Sequence, residues 1–419
     1  MALEYIPIFV LLVVFLLIAF RRIGNFRIKI WQAMTIGAVV VLITGQIAPL
    51  DAIISVNIDV IVFLFGMFVV GESMQRSGYL SHLSRKLFHR ATKVDHLILL
   101  ILFPMGLLSA LLMNDTLAII GTPLVVGLSK KHNISPKLLL LTLAIAVTTG
   151  SVLSPIGNPQ NLLIATSGGV DNPFISFLQY LALPTILCLF VAFLFLRFFF
   201  RSEFHVPLVE NQDDEIPTDT RLVQLSKLAL ILIGFLIALK VVLVFVAPTI
   251  ELRLSYIAII AALPLILFSR ERVKIVRNID WSTLLFFVSM FVLMASVWQS
   301  GVFQDIFIGL NLDLNSISII MAIGVLMSQL VSNVPLVALI IPMLSANGTS
   351  LILMMALAAG STIAGNMLIL GAASNIIIIQ NAEKHGQTLE FKEFAKIGIP
   401  LTIVQTLVYL VFLILNSFS

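Results

Sequence analysis

Apolar runs of bilayer-crossing length recur from one end of this sequence to the other, leaving it little choice but to fold within lipid. A transmembrane helix needs about 20 apolar residues. Such runs fall near 5–20, 30–50, 58–74, 138–167, 174–199, 226–247, 254–268, 281–298, 350–379 and 397–415. Charged residues make up only 11% of the chain, against about 25% in a soluble domain. The expected fold is an all-α polytopic membrane protein with about ten transmembrane helices. That excludes a secreted disulfide scaffold, a nucleic-acid binder and a conventional soluble enzyme. The net charge of +4 does not argue for a nucleic-acid partner, because basic loops also orient membrane proteins. The run from Ile6 to Phe20 lacks a basic leader and precedes Arg21 and Arg22, so it reads as a retained span. The one cysteine, Cys188, lies in an apolar run and reads as core packing.

Two further apolar stretches, 95–129 and 316–346, are too long for one helix and carry polar residues at their centres. Basic residues decide how they run. Arg85, Lys86, Arg90 and Lys93 precede the first, and Lys130, Lys131 and Lys137 follow it. Both of its ends are therefore expected on the cytoplasmic side. It reads as a re-entrant hairpin with its tip at Met113-Asn114-Asp115-Thr116. No Lys or Arg occurs between Gln299 and Gln380, so the second stretch reads as a hairpin entering from outside, with its tip at Ser332-Asn333-Val334-Pro335. This topology places every Lys and Arg on the cytoplasmic side except Lys240 and Arg253. Both termini come out external in a plasma-membrane protein.

An internal repeat is visible. Gly66-Met67-Phe68-Val69 resembles Ser289-Met290-Phe291-Val292, and Asn114 and Pro123 match Asn333 and Pro342. Gly157 and Asn161 match Gly371 and Asn375 at nearly the same offset. The copies enter the membrane from opposite sides, which is the inverted-repeat architecture of secondary transporters. The expected organisation is an extra N-terminal helix in 1–29, a first repeat in 30–201, a linker plus extra helix in 202–253, and a second repeat in 254–419. Glu203, Glu210, Asp213, Asp214 and Glu215 make the linker an acidic, solvated loop.

Four polar interruptions stand at equivalent places. The hairpin tips supply Asn114, Asp115, Thr116, Ser332 and Asn333. The long spans supply Ser154 to Asn161, with Gly157, Asn158 and Asn161, and the stretch Gly371 to Asn375, with Ser374. Non-helical backbone cannot face lipid, since each unpaired group there costs several kcal/mol. Pro155 and Pro159 break the helix, and Gly157 permits a tight excursion. Half-helix N-termini then favour an anion, and freed carbonyls favour a cation. Asp115 is the outstanding intramembrane acid, and such a residue points by default to function. It is expected to bind a cation or take up a proton, and Asp also caps a returning helix. A sodium site, where sodium is the coupling ion, falls at Asn114, Asp115 and Asn158.

Glu72 is a second intramembrane acid, read either as reaching cytoplasmic water or as coupling. Lys240 can snorkel outward. Thr148, Thr149, Ser151, Ser361, Thr362 and Asn366 read equally as cavity lining or helix packing. The histidines (His82, His89, His96, His132, His205 and His385) fall in or beside loops, and no metal-type cluster or Walker A sequence appears. No cofactor is expected.

The paired tips, the Ser154-to-Asn161 stretch and the Gly371-to-Asn375 stretch resemble the ion transporter superfamily. That group includes arsenite/antimonite permeases, sodium/proton antiporters of the NhaD type, citrate–metal transporters and divalent anion/sodium symporters. Asn114-Asp115 and Asn333-Val334-Pro335 resemble the arsenite-permease tips, while Ser332-Asn333 also resembles the Ser-Asn-Thr tips of the divalent anion symporters. The resemblance implies a scaffold domain, a transport domain with elevator-like motion, and homodimerisation. The expected function is secondary active transport of a small inorganic or carboxylate anion, or of a neutral oxyacid such as arsenite, coupled to protons or sodium. A sodium/proton antiporter is the nearest alternative, followed by a channel and a membrane-embedded enzyme.

Overall fold

The computed structural model describes residues 3–20, 22–23, 26–79, 88, 91–205, 208, 220–247, 250, 252–310, 312–346, 348 and 350–417. Arg21, His82, Arg85, Lys86, His89, Arg90, Glu210, Asp213, Asp214 and Glu215 lie outside the described residues.

Among the described residues the regular structure is helical apart from a two-residue antiparallel pairing of Arg22–Ile23 with Phe26–Arg27. The first helices are α1 (Ile6–Phe20), α2 (Ile30–Ile43), α3 (Pro49–Ser55) and α4 (Ile58–Ser77). A pair follows, α5 (Val94–Leu112) and α6 (Asn114–His132). Next come α7 (Pro136–Ser151), α8 (Pro159–Ser167), α9 (Pro173–Phe199) and α10 (Thr220–Val246). Then α11 (Leu254–Phe268), α12 (Arg272–Asn278), α13 (Trp281–Gln299) and α14 (Val302–Gly309) precede a second pair, α15 (Ile317–Val331) and α16 (Asn333–Ala346). The chain closes with α17 (Leu351–Ile363), α18 (Ala373–Lys384) and α19 (Phe391–Ser417). Prolines sit in the first turn of α3, α7, α8 and α9, where the missing N–H costs no helical bond.

The apolar run 30–50 is not one helix. It ends at Ile43, Gly45 turns with φ of 68°, and Pro49 starts α3. The runs 138–167 and 350–379 are also divided. Residues 152–158 separate α7 from α8, and two 3-10 turns between Ala364 and Gly371 separate α17 from α18. Within α5, a π turn at Ile101–Met105 surrounds Pro104, whose ring removes a backbone donor.

Among the described residues, six helices are long and apolar enough to cross a membrane by length and composition: α4, α5, α9, α10, α13 and α19. One of these, α5, ends at the Met113 turn that leads directly into α6. Among them α10 is the most peripheral, with Phe235 60% and Phe245 74% exposed. A surface this apolar suits lipid rather than water. The two ends of α4 carry different ion pairs. Arg76 joins Glu72 at 2.6 Å and Glu271 at 3.3 Å, while Asp59 takes Arg253 at 3.3 Å and Ser255 at 2.7 Å. The Asp59-to-Arg76 rise is about 26 Å at 1.5 Å per residue, close to the bilayer's hydrocarbon thickness of about 30 Å. Lys240 reaches the Leu252 carbonyl at 2.7 Å, near the Arg253 end. Outside the helices, the Lys274 ammonium, then the Arg76 guanidinium, hold the Glu271 carboxyl below its usual range.

Inside, α4 packs on α11 and α2 on α13. The first contact is close because Gly66 has no side chain; a Cβ there would lie 2.7 Å from the Ala258 carbonyl carbon. Hairpin arm α5 meets α7 through Gly106 and Gly150, and α15 meets α17 through Gly324 and Gly360. These contacts seat both hairpins against the broken helices.

Candidate functional site

Each hairpin turns on a single non-glycine residue with positive φ. Met113 has φ 69° and ψ 141°, and Ser332 has φ 71° and ψ 151°. Such a conformation is essentially confined to glycine and costs about 1–3 kcal/mol elsewhere. The turn lets α6 start at Asn114 and α16 at Asn333, deep in the protein. Ser332→Gly is expected to raise the melting temperature and Ser332→Val to lower it; a thermal-shift series on purified protein checks the order.

The tips dock on the breaks. The Asn114 N–H donates to the Gly157 carbonyl at 2.9 Å. In the second half, the Gln329 amide donates to the Ala364 carbonyl at 2.8 Å. Both breaks need glycine. A Cβ on Gly157 would lie 2.3 Å from the Ser151 oxygen, and one on Gly371 2.7 Å from the Ala364 oxygen.

The first break is internally satisfied. Asn158 caps α8 by accepting from the Asn161 N–H at 2.8 Å, and its amide donates to Ser151 Oγ and Thr362 Oγ1. Asn161 donates to the Ser151 and Ser154 carbonyls at 3.1 Å and accepts from Thr362 Oγ1. Thr362 belongs to α17, so this network ties the two breaks together. Behind it, the Asn366 amide donates to Thr149 Oγ1 and Gln405 Oε1, both at 2.9 Å.

The second break is not satisfied. The Asn375 amide donates to the Gly365 carbonyl at 2.6 Å, yet its oxygen is buried without a partner. Ser374 Oγ, Gln329 Oε1, Asn333 Oδ1 and Ser328 Oγ share that condition. Buried polar atoms are normally paired, and these five bare oxygens belong to the second hairpin and the first turn of α18.

A cavity of about 820 Å³ joins these parts. Four helices of the hairpins and broken spans begin at its wall, at Asn114 of α6, Pro159 of α8, Asn333 of α16 and Ala373 of α18, and Ile30 of α2 lines it too. Each N-terminus carries about half a positive charge. Among the described residues, the charged side chains lining the cavity are Lys29, Asp115 and Asp280. Of the residues expected from sequence, Asn114, Asp115, Ser332 and Asn333 line it. Thr116 faces a smaller adjoining cavity. Gly157, Asn158, Asn161, Gly371, Ser374 and Asn375 stand behind the wall as its support. Asn158 is fully buried, its Oδ1 accepting from the Asn161 N–H and its amide donating to Ser151 Oγ.

The matching family model, described as "Citrate transporter", covers residues 12–347. The chain belongs to that citrate transporter family. It is 26% identical to the 46 kDa membrane protein of Mycobacterium leprae, over 95% of each chain. It is 27% identical to the silicon efflux transporter LSI3 of Oryza sativa subsp. japonica, over 95% of this chain and 94% of that one. Among solved structures, the Alcanivorax borkumensis YdaH transporter matches 100% of this chain and 98% of its own, with a TM-score of 0.60 and 15% identity. That likeness concerns the fold alone. The family and the rice relative are named as transporters, and the apolar helices make the chain a multi-pass membrane protein.

Sequence reasoning missed several groups in the family member's cavity. Asp280 lines it while capping α13, accepting from the Thr283 N–H at 3.0 Å and Thr283 Oγ1 at 2.6 Å. Gln160, Ser328, Gln329 and Gln380 line it too. Trp31 is the least foreseeable: its indole N–H is buried without a partner on the cavity wall. An indole donor left unpaired in a wall suits an oxygen-bearing solute. Trp31→Phe is expected to raise the half-saturation concentration about five- to tenfold, the worth of one hydrogen bond, with folding unchanged. Concentration-dependent uptake measures it.

Proposed function

We propose that this protein is a secondary active transporter of a small oxyacid or carboxylate, coupled to a proton or cation gradient. One observation carries the reading: four helix N-termini converge on one cavity, as discontinuous helices do around anionic groups in secondary transporters. The charged groups refine it. Among the described residues two carboxylates face one ammonium, so a bare polyanion meets repulsion from Asp115 and Asp280. The solute therefore travels as a neutral oxyacid, or as a carboxylate offset by a proton or cation. The names of the family and of the rice relative, citrate and silicon, span those two chemistries.

In this proposal Asp115 carries the coupling charge. The bare oxygens of Ser328, Gln329, Asn333, Ser374 and Asn375 offer a cation site beside the second break, where freed carbonyls add to it. The same oxygens favour a second reading, sodium/proton exchange with no solute. We also read the element order as an inverted repeat. The series α2, α3, α4, hairpin, broken helix and long α9 recurs as α11, α12, α13, hairpin, broken helix and long α19. The cavity then opens toward the cytoplasm, the side of Lys29.

Proteoliposomes under separately imposed proton and sodium gradients test this, with citrate, silicic acid, arsenite, phosphate and sulfate as solutes and internal pH followed throughout. Gradient-driven solute flux is the expected result. Sodium–proton exchange with every solute left behind establishes the antiporter instead.

A further inference from the structure

A second cavity of about 70 Å³ adjoins the first, room for a few waters at roughly 10–15 Å³ each. Asp115 and Asp280 border both cavities, whereas Glu72 borders only the small one. At the small cavity's rim, Gln75 and Asn278 are exposed, and at its inner side Thr116 is buried. It exists where α4 passes close to α6. Gly71 permits that approach, since a Cβ there would sit 2.8 Å from Thr116 Cγ2.

Asp115 thus stands where two routes to water meet. Among the described residues three further charged groups border the cavities that meet at it: Asp280 before α13, Lys29 before α2, and Glu72 on α4. Hairpin α15–α16, α8 and α18 present uncharged groups there, among them Asn333, Gln160 and Ile377. Arg76 fixes the Glu72 carboxylate at the passage by a 2.6 Å bond, and Glu271 holds Arg76 in turn at 3.3 Å. The small volume of the passage suits a short file of waters, along which protons can move.

We propose that the small cavity is a separate proton route to Asp115, with Glu72 as its relay, open while solute fills the main cavity. This rests on the coupling role given to Asp115 above. The proton moves from water to a Glu72 oxygen and through the file of waters to an Asp115 oxygen, and back by the reverse steps. Such a side route lets the coupling proton load or leave without waiting for the solute.

Two experiments need no known solute. The native Cys188 is buried, so introduced thiols report alone. Ile119 borders only the small cavity and Ser332 only the large one. In nanodiscs, Ile119→Cys should react with a cationic methanethiosulfonate. In the double variant Ile119→Cys/Ser332→Cys, blocking Ser332→Cys first with a bulky maleimide should leave the Ile119→Cys rate within about twofold. Adding Gly71→Leu should slow Ile119→Cys at least tenfold and spare Ser332→Cys. An inert Ile119→Cys, or one silenced by the maleimide, overturns the separate route.

The second experiment follows the Asp115 carboxyl band by infrared spectroscopy after a pH jump, assigned with Asp115→Asn. Glu72→Gln should slow its protonation at least tenfold. An unchanged rate overturns the relay alone. A band indifferent to pH removes proton coupling through Asp115, and the relay with it.

Discussion

Asp115→Asn is expected to reduce gradient-driven flux more than about 100-fold while the protein stays folded and still binds solute. The substitution keeps the size of the side chain and removes its charge. Folding should survive, because the carboxylate has little structural work: the Asp115 N–H is satisfied by Asn114 Oδ1 at 2.9 Å, and the tip is held through the Asn114 N–H on the Gly157 carbonyl. Function should not survive, because Asp115 is the acid in the first turn of α6, at the meeting point of both cavities. With it neutral, Lys29 and Asp280 balance and the cavity no longer needs a proton or cation to admit its solute. Solute exchange down its own gradient should therefore persist, and the dependence of flux on pH and sodium should flatten. Flux measured against imposed gradients, with binding measured separately, checks both halves. If pH and sodium dependence are unchanged, the coupling charge lies elsewhere, and the bare oxygens around Ser374 and Asn375 become the leading site.

The fold was legible where the bilayer constrains the sequence. A run of apolar residues too long for one helix, with polar residues at its centre, has few solutions, and the chain turns at Met113 and Ser332 within the two stretches of this kind. The breaks were legible for a similar reason: Pro155, Gly157 and Pro159 leave backbone groups that lipid cannot satisfy. Other groups were hidden because their surroundings look ordinary. Asp280 reads as a helix cap in a loop, and Trp31 as the apolar start of a span. Both stand at helix ends, where a polar or aromatic residue calls for no explanation. The amides posed the opposite problem. Asn158 and Asn333 sit in comparable motifs, yet one has both amide atoms engaged and the other has its oxygen bare. Which partner an amide finds depends on Thr362, some 200 residues away from Asn158 along the chain, and spacing carries no trace of that.

Gly150→Ala should destabilise the protein more than any other single methyl addition to the two hairpin seats. A Cβ at Gly150 would lie 2.3 Å from both Gly106 Cα and the Gly106 oxygen. Both are backbone atoms, so no side chain can rotate aside, and α5 must separate from α7. At the equivalent seat, a Cβ on Gly360 would meet the Met321 oxygen at 2.9 Å, a milder overlap that a small helix shift relieves. Gly127, with nothing within 4 Å of an added Cβ, serves as the control, and alanine there should gain slightly from helix propensity. Overpacking in a close-packed interior costs typically about 1–3 kcal/mol, and contact with backbone on both sides puts Gly150 at or above the top of that range. The expected order of melting temperatures is Gly127→Ala at or above the native protein, then Gly360→Ala, then Gly150→Ala. The effect should also reach the site, because α7 ends at the break that receives Asn114. A weakened seat lets the tip leave the Gly157 carbonyl, so Gly150→Ala protein that does fold should bind solute poorly even below its melting temperature. Equal stability of the two hairpin variants would mean that the α5–α7 contact yields as readily as its counterpart, and that the first hairpin is not held by its glycines.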